Sequence, residues 1–388
     1  MIEKNKRIFL FFLTFAILTI AIILTSTRII FASEVLTNWT TQANLPLALA
    51  SHQTVVYNNK IYTFGGGVSG SDKIYSSTID GNGDLSDWST AGNLPQALLY
   101  HQVLLKGNRI YLLGGSTPSI VSQNSVYTAV INNDGSVSGW TALNSLPEAL
   151  SVGGATEFNN KIYYVGGGTQ AGGSITRKSS VYYANINADG TIGAWNLTAS
   201  LPEPRVAFGM LQIGSKIYLF GGTTNTEANS NNVFVGNING DGTINSWNSS
   251  TPLPVGLHRP IVAKTDDYVF IMGGRSNVGF SNVTRYSNIT GDLLGNWSDS
   301  LINLPTSNCC SPSVNYGNNI YIVGGHDGSS YFSSVYKNAT IQLSMSTSTP
   351  TASPTTAPTD TPVPTATPTT APTPSPTLSP TPTPVSHI

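Results

Sequence analysis

Apolar and polar residues alternate along most of the chain in short runs bounded by Gly, Asn, Asp or Pro. That period of two is the signature of half-buried strands joined by tight turns. The first full instance runs "HQTVVYN", an Asn-Asn-Lys turn, "KIYTFGG", a polar loop, "KIYSSTID", a turn, and a strand carrying Trp88. The same order recurs. The second run closes in Gly-Gly six times, as "KIYTFGG", "RIYLLGG", "KIYYVGG", "KIYLFGG", "YVFIMGG" and "NIYIVGG". All six tryptophans fall in one series, Trp39, Trp88, Trp140, Trp195, Trp247 and Trp297, spaced 49, 52, 55, 52 and 50 residues apart. Leu-Pro follows each, ending at Pro46, Pro95, Pro147, Pro202, Pro254 and Pro305.

A four-stranded unit of about 50 residues, repeated, is a propeller blade. The strand around Trp39 has no three strands before it, and the last unit, ending "SSVYKNATIQL", has no Trp strand after it. The two deficits complement each other, so the N-terminal strand is expected to complete the last blade and remove the free edges. The expected fold is all-β: a six-bladed β-propeller of four-stranded blades over residues 34–345.

These landmarks resemble the kelch repeat, and the chain is similar to exported kelch proteins of bacterial type. "LPEPRVAF", with Arg205, matches the kelch entry segment most closely, and His52 and His101 stand where that pattern often has His. The resemblance covers Val35 to Leu343. Leu49, Leu98, Leu150, Leu257 and Asn308 replace the Arg in the other units. The resemblance therefore implies the fold and does not carry over a site built on that Arg.

The ends of the chain differ in kind. Lys4, Lys6 and Arg7 precede an uncharged apolar run from Ile8 to Leu24, an export signal for residues 1–33 read either as a cleaved peptide or as a single membrane anchor. Either way the body of the protein is expected outside the cytoplasm, secreted or at the cell surface. From Ser346 to Ile388 the chain holds twelve of its 23 prolines and one charge, Asp360, a composition expected to be disordered. With 18 basic and 19 acidic residues the chain offers nothing that would draw it to nucleic acid. Cys309 and Cys310 are adjacent and cannot staple distant segments; they read as a vicinal disulfide or as two small side chains on opposite faces of a strand.

The segment "INADGTIGAW" and its counterparts suggest a calcium loop, an aspartate box of the sialidase kind, or a hairpin turn. Most copies have too few carboxylates for calcium, and the Asp-to-Trp spacing is wrong for the box, so the turn is favoured. His52 and His101 begin innermost strands of neighbouring units; a zinc site there lacks an evident third ligand. No metal, cofactor or catalytic residue is assigned. Loops after Gly-Gly and loops entering the next unit share one face, which collects Tyr100, Arg177, Arg205, His258, Arg259, Arg275, His326, Asp327, Tyr331 and Phe332. That set, with His52 and His101, is the candidate site for an anionic or polyhydroxyl ligand, protein or glycan. The favoured function is a non-catalytic binding or adhesion module. The alternative is a carbohydrate-active enzyme resembling sialic-acid mutarotases, a sialidase being less favoured; it needs converging Arg side chains with a Glu beside a Tyr, and Glu157 and Glu203 are the acids to follow.

Overall fold

A computed structural model of the chain describes residues 35–67, 71–226 and 228–340. Among these residues every helix or strand is a strand. The expected export segment (1–33) and Pro/Thr-rich tail (346–388) lie outside the described residues, and no described helix is long and apolar enough to cross a membrane.

The strands pair antiparallel, in chain order, into small sheets arranged as in a propeller. Gly209–Ile213, Lys216–Phe220, Val233–Ile238 and Ile244–Ser250 form one four-stranded sheet. Two more come from residues 154–198 and 261–299, each with a short hairpin after its second strand: Gly168–Ala171 with Ser174–Arg177, and Arg275–Ser276 with Gly279–Phe280. The strands of residues 53–98 and 102–142 join as one eight-stranded sheet, through a single parallel pair between Gly92 and Val137. In the last sheet Thr40–Gln42 pairs with Val335–Ala339, so the N-terminal strand does supply the strand missing at the other end.

The second strand of every unit is partly buried at its first residue and fully buried at the next four, as a central strand covered on both faces must be. The apolar core lies in the seams between neighbouring sheets: Tyr111 and Leu113 of one pack with Ile162 and Tyr164 of the next. Three repeated polar contacts bind the seams. Second-strand tyrosine hydroxyls donate to the hairpin turn of the following unit, Tyr111 to the Gly190 carbonyl (3.1 Å), Tyr163 to Gly242 (2.8 Å) and Tyr321 to Gly83 (2.5 Å). The unit whose successor has no such turn carries Phe270 instead. Trp indole N–H groups donate to the loop of the preceding unit, as Trp195 does to Asn144 (2.9 Å).

The third contact explains Gly-Gly. The second glycine's N–H donates to the entry segment of the next unit: Gly66 to Leu98 (2.9 Å), Gly115 to Leu150 (2.9 Å), Gly167 to Arg205 (2.9 Å), Gly222 to Leu257 (2.7 Å), Gly274 to Asn308 (2.8 Å), and Gly325 back to Leu49 (2.7 Å). A Cβ on the first glycine would meet those same carbonyl oxygens, at 2.2 Å for Gly273 and 2.4 Å for Gly114 and Gly324.

The segment "INADGTIGAW" is a hairpin turn. Asp189 Oδ1 accepts from the Thr191 N–H (2.9 Å) and hydroxyl (2.7 Å), Gly190 takes φ of 84°, and Ile186 bridges Ile192. The Asp241 turn repeats these bonds with Thr243. Each carboxylate is spent on its own loop.

Gly273→Ala is therefore expected to cost more than about 3 kcal/mol, as overpacking against backbone at a positive φ. Gly317→Ala, at φ of 55° with nothing within 4 Å, is expected to cost about 1 kcal/mol. Thermal unfolding followed by tryptophan fluorescence checks the pair.

Candidate ligand-binding site at the channel mouth

Each unit begins with a residue turned into left-handed backbone: Ser51, Tyr100, Val152, Ala207, Arg259 and Cys310, with φ between 50° and 61°. None is glycine, so each position costs about 1–2 kcal/mol in backbone strain. The reward is an annulus of hydrogen bonds. The Ser51 N–H donates to Cys310 (2.8 Å), Tyr100 to Ser51 (3.0 Å), Val152 to Tyr100 (3.1 Å), Ala207 to Val152 (2.9 Å) and Arg259 to Ala207 (2.7 Å). These residues line one end of a central channel with a cavity of about 300 Å³. The wider cavity of about 580 Å³ is lined largely by first-strand residues such as Val55, Leu105, Leu211 and Val262, with the turns at Asp266 and Asn318, and gathers little chemistry. We take the narrower one as the site because the ring directs varied, reactive side chains into it.

Arg259 is the centre of this mouth. Its guanidinium lies over the Tyr100 ring (4.3 Å) and donates to Ser51 Oγ (3.0 Å) and Cys310 Sγ (3.5 Å). Beside it, His258 shares a hydrogen bond with the Thr223 hydroxyl through Nδ1 (2.7 Å). Burial first, then the charges of Arg259, Arg275, His326 and Arg177, press the His258 imidazole down to about 3. The inserted hairpins bring Arg177 and Arg275 to this rim, Arg275 lying over Phe280 (6.0 Å). His326 stacks on Tyr331 (5.3 Å) and meets the edge of Phe280 (5.4 Å). Asp327 accepts from the Ser329 and Ser330 N–H groups (both 2.8 Å), which holds its carboxyl below the usual range and ties it to its own turn. Phe332 contributes backbone, accepting from Leu49 (3.0 Å) and donating to Gly325 (2.8 Å).

Three of the residues expected on this face are interior. Arg205 is fully buried; it donates to the Gly221 carbonyl (2.7 Å), lies over Phe234 (4.7 Å) and pairs with Glu203. It fills the seam position that leucine occupies in four other units, which is why it cannot meet a ligand. His52 and His101 are also buried, with ring nitrogens that lack hydrogen-bond partners. Both pack against the first glycine of the preceding Gly-Gly, His52 on Gly324 and His101 on Gly65, where Phe208 packs on Gly166. They are space-fillers of the seam. Burial presses His52 to about 3, aided by His101, and His101 to about 4. Glu157 pairs with Lys106 (2.7 Å), away from the arginine cluster.

Cys309 and Cys310 were missed as site residues. Cys309 pairs with His326 across an isolated bridge, and the left-handed turn at Cys310 swings its sulfur to the same side. The expected opposite-face arrangement is thus corrected: the sulfurs lie 2.8 Å apart, and His326 Nε2 is 3.4 Å from Cys309 Sγ and 3.2 Å from Cys310 Sγ. Among the described residues this is the one trio of Cys, His or acidic groups whose atoms gather within 4.8 Å. The Gly328 N–H donates to His326 Nδ1 (3.0 Å), which leaves the ring proton on Nε2, facing the sulfurs. That tautomer suits a thiolate acceptor better than a metal ion. Aligning the units on Gly-Gly would have found the pair, because Cys310 occupies the repeat position of Tyr100 and Arg259.

Small sheets in a propeller-like array, with glycine pairs on the seams and chemistry at one mouth of the channel, define a β-propeller of repeat type. Residues 153–368 match the KLHDC2/KLHL20/DRC7 Kelch-repeats domain, and the chain belongs to the kelch-repeat family. It is 24% identical over 188 residues to Kelch-like protein 38 of Homo sapiens, covering 48% of this chain and 30% of that protein. It is 25% identical over 198 residues to Beta-scruin of Limulus polyphemus, covering 48% of this chain and 20% of that protein. The chain thus matches under a third of the length of either relative. Among solved structures, that of YjhT aligns with a TM-score of 0.61 at 15% identity, covering 78% of this chain and 98% of that one, a likeness of fold.

The buried neutral histidines make stability depend on pH. Their folded values lie below the unfolded value of about 6.5, so the unfolded chain binds more protons and stability falls as pH drops from about 6.5 toward 3. His101→Phe, the side chain that Phe208 provides at the same repeat position, is expected to flatten this slope by about one proton. Denaturant melts between pH 7 and pH 4 read it directly.

Proposed function

We propose that this protein is a non-catalytic binding module, exported from the cytoplasm, that takes carboxylate-bearing protein or glycan ligands at the mouth of a six-bladed propeller. The observation that carries the reading is the gathering of Arg259, Arg275 and Arg177 around His258, beside the aromatic faces of Tyr100, Phe280 and Tyr331. Among the described residues no carboxylate forms an ion pair with Arg259. A planar cation over an aromatic face favours an incoming carboxylate.

Six blades are supported by six Gly-Gly landmarks, six left-handed entry residues, and an eight-stranded sheet whose halves meet at one residue pair. Export is supported by Lys4, Lys6 and Arg7 ahead of the Ile8–Leu24 apolar run, which serves equally for a cleaved signal or an anchor. Kelch propellers generally bind protein partners, which favours a protein ligand over a glycan. The non-catalytic reading rests on the acids: Glu203 is spent on Arg205 and Glu157 on Lys106, so neither stands beside a tyrosine among the arginines.

Calorimetric titration with a glutamate-rich peptide and with N-acetylneuraminic acid tests the proposal. Binding of either is expected to weaken about tenfold or more in Arg275→Gln, the loss of one charge-assisted hydrogen bond, and to weaken with added salt. Failure of both ligands to bind sinks the carboxylate reading. Acceleration of anomer exchange in the sugar, followed by NMR, would sink the non-catalytic one.

A further inference from the structure

The least expected chemistry on the molecule is the adjacent cysteine pair: Cys310 lines the channel mouth, and Cys309 is buried directly behind it. Arg259 is the key to its state. Its guanidinium contacts the Tyr100 ring, the Ser51 hydroxyl and Cys310 Sγ, and its Nε has no hydrogen-bond partner. A cation so enclosed needs a compensating anion. Of the groups it touches, the Cys310 thiol is the one that ionises most readily. The other neighbours agree. Cys309 Sγ lies 2.8 Å from Cys310 Sγ, and the His326 Nε2 proton is directed at it from 3.2 Å. The remaining titratable groups in range are Arg275, Tyr100 and Tyr331, and none is a carboxylate.

We infer that Cys310 is held as a thiolate and that Cys309 and Cys310 form a redox-active dithiol, exchanging with small organic disulfides that enter the channel mouth. The arrangement of charges agrees. Burial opposes ionisation of Cys310, but the Cys309 hydrogen bond, the Arg259 charge and the His326 hydrogen bond outweigh it and hold the thiol well below its usual range. The same hydrogen bond, then burial, pushes Cys309 up, so it stays protonated as the donor. In the first step the Cys310 thiolate attacks a disulfide RSSR, forming a mixed disulfide and releasing RS⁻. In the second, Cys309 loses its proton and attacks the Cys310 sulfur; the vicinal disulfide forms and the second R group leaves as RS⁻, which takes up that proton. The dithiol is oxidised by two electrons and RSSR is reduced by two.

Reduced full-length protein treated with dithiodipyridine tests this. The wild type should release about two pyridinethiones per chain and end two hydrogens lighter, with no retained adduct. Cys309→Ser should react as fast in the first step and retain one adduct. Cys310→Ser should react at least about tenfold more slowly. The wild-type rate should stay nearly flat from about pH 8 to about pH 6, where an ordinary thiol loses about tenfold per unit below its pKa of about 8.5. This pH profile needs no variant, so a misfolded substitution does not blunt the test. Equal rates for the two Ser variants, or a wild-type rate that follows an ordinary thiol, would overturn the inference. So would one tightly held zinc per chain that blocks labelling, which would make the trio a metal site.

Discussion

The fold depends on one close approach: the glycine pair that ends each second strand against the entry carbonyl of the next unit. The first glycine leaves no room for a side chain, and the second donates the hydrogen bond that joins the units. A propeller sheet alone has two open edges and little core of its own. The glycines let neighbouring backbones meet at hydrogen-bond distance on the inner side, where blades are closest. The tyrosine hydroxyls and tryptophan indoles perform the same joining farther out. The ring of left-handed entry residues is a consequence: only a sharp turn lets the chain cross from one seam into the next innermost strand.

That inner ring is also what separates scaffold from site. Positions two residues apart at the entry have opposite fates. Leu49, Leu98, Leu150, Arg205, Leu257 and Asn308 are buried in the seams, whereas Tyr100, Arg259 and Cys310 line the channel. The scaffold positions tolerate few side chains. The ring positions carry Ser, Tyr, Val, Ala, Arg and Cys, and they give the mouth its chemistry without disturbing the backbone hydrogen bonds that hold them.

Much of the architecture was legible because it is repeated. The alternating runs, the Gly-Gly endings and the tryptophan series identified strands, seams and the complementary end strands, and the Asp-Gly segments read correctly as turns. Side-chain direction was not legible. Arg205, His52 and His101 were placed on the ligand face because they are polar and lie near loops. Each lies beside a positive-φ residue, Ser51 just before His52, Tyr100 just before His101 and Ala207 two after Arg205, whose conformation no residue type announces. Cys309 and Cys310 were judged by the rule that neighbours in a strand point apart, and the left-handed turn at Cys310 suspends that rule. Tyr100, Arg259, Arg275, His326 and Tyr331 do gather, because the bridges Cys309–His326 and His258–Arg275 tie entry loops to exit loops.

The pairing of Thr40–Gln42 with Val335–Ala339 sets the order in which this molecule can be completed. Thr37 donates its backbone N–H to the Asn338 side chain (3.0 Å), a contact spanning 301 residues. During synthesis the Thr40–Gln42 strand has no partner until almost the whole repeat array has followed it. Each earlier sheet is assembled from neighbouring segments as they appear, while the opening strand and the final unit wait with bare edges. Maturation thus ends in a single late joining event. A chain released before Val335 emerges would hold most of its sheets and still lack the strand that joins the last one to Thr40–Gln42.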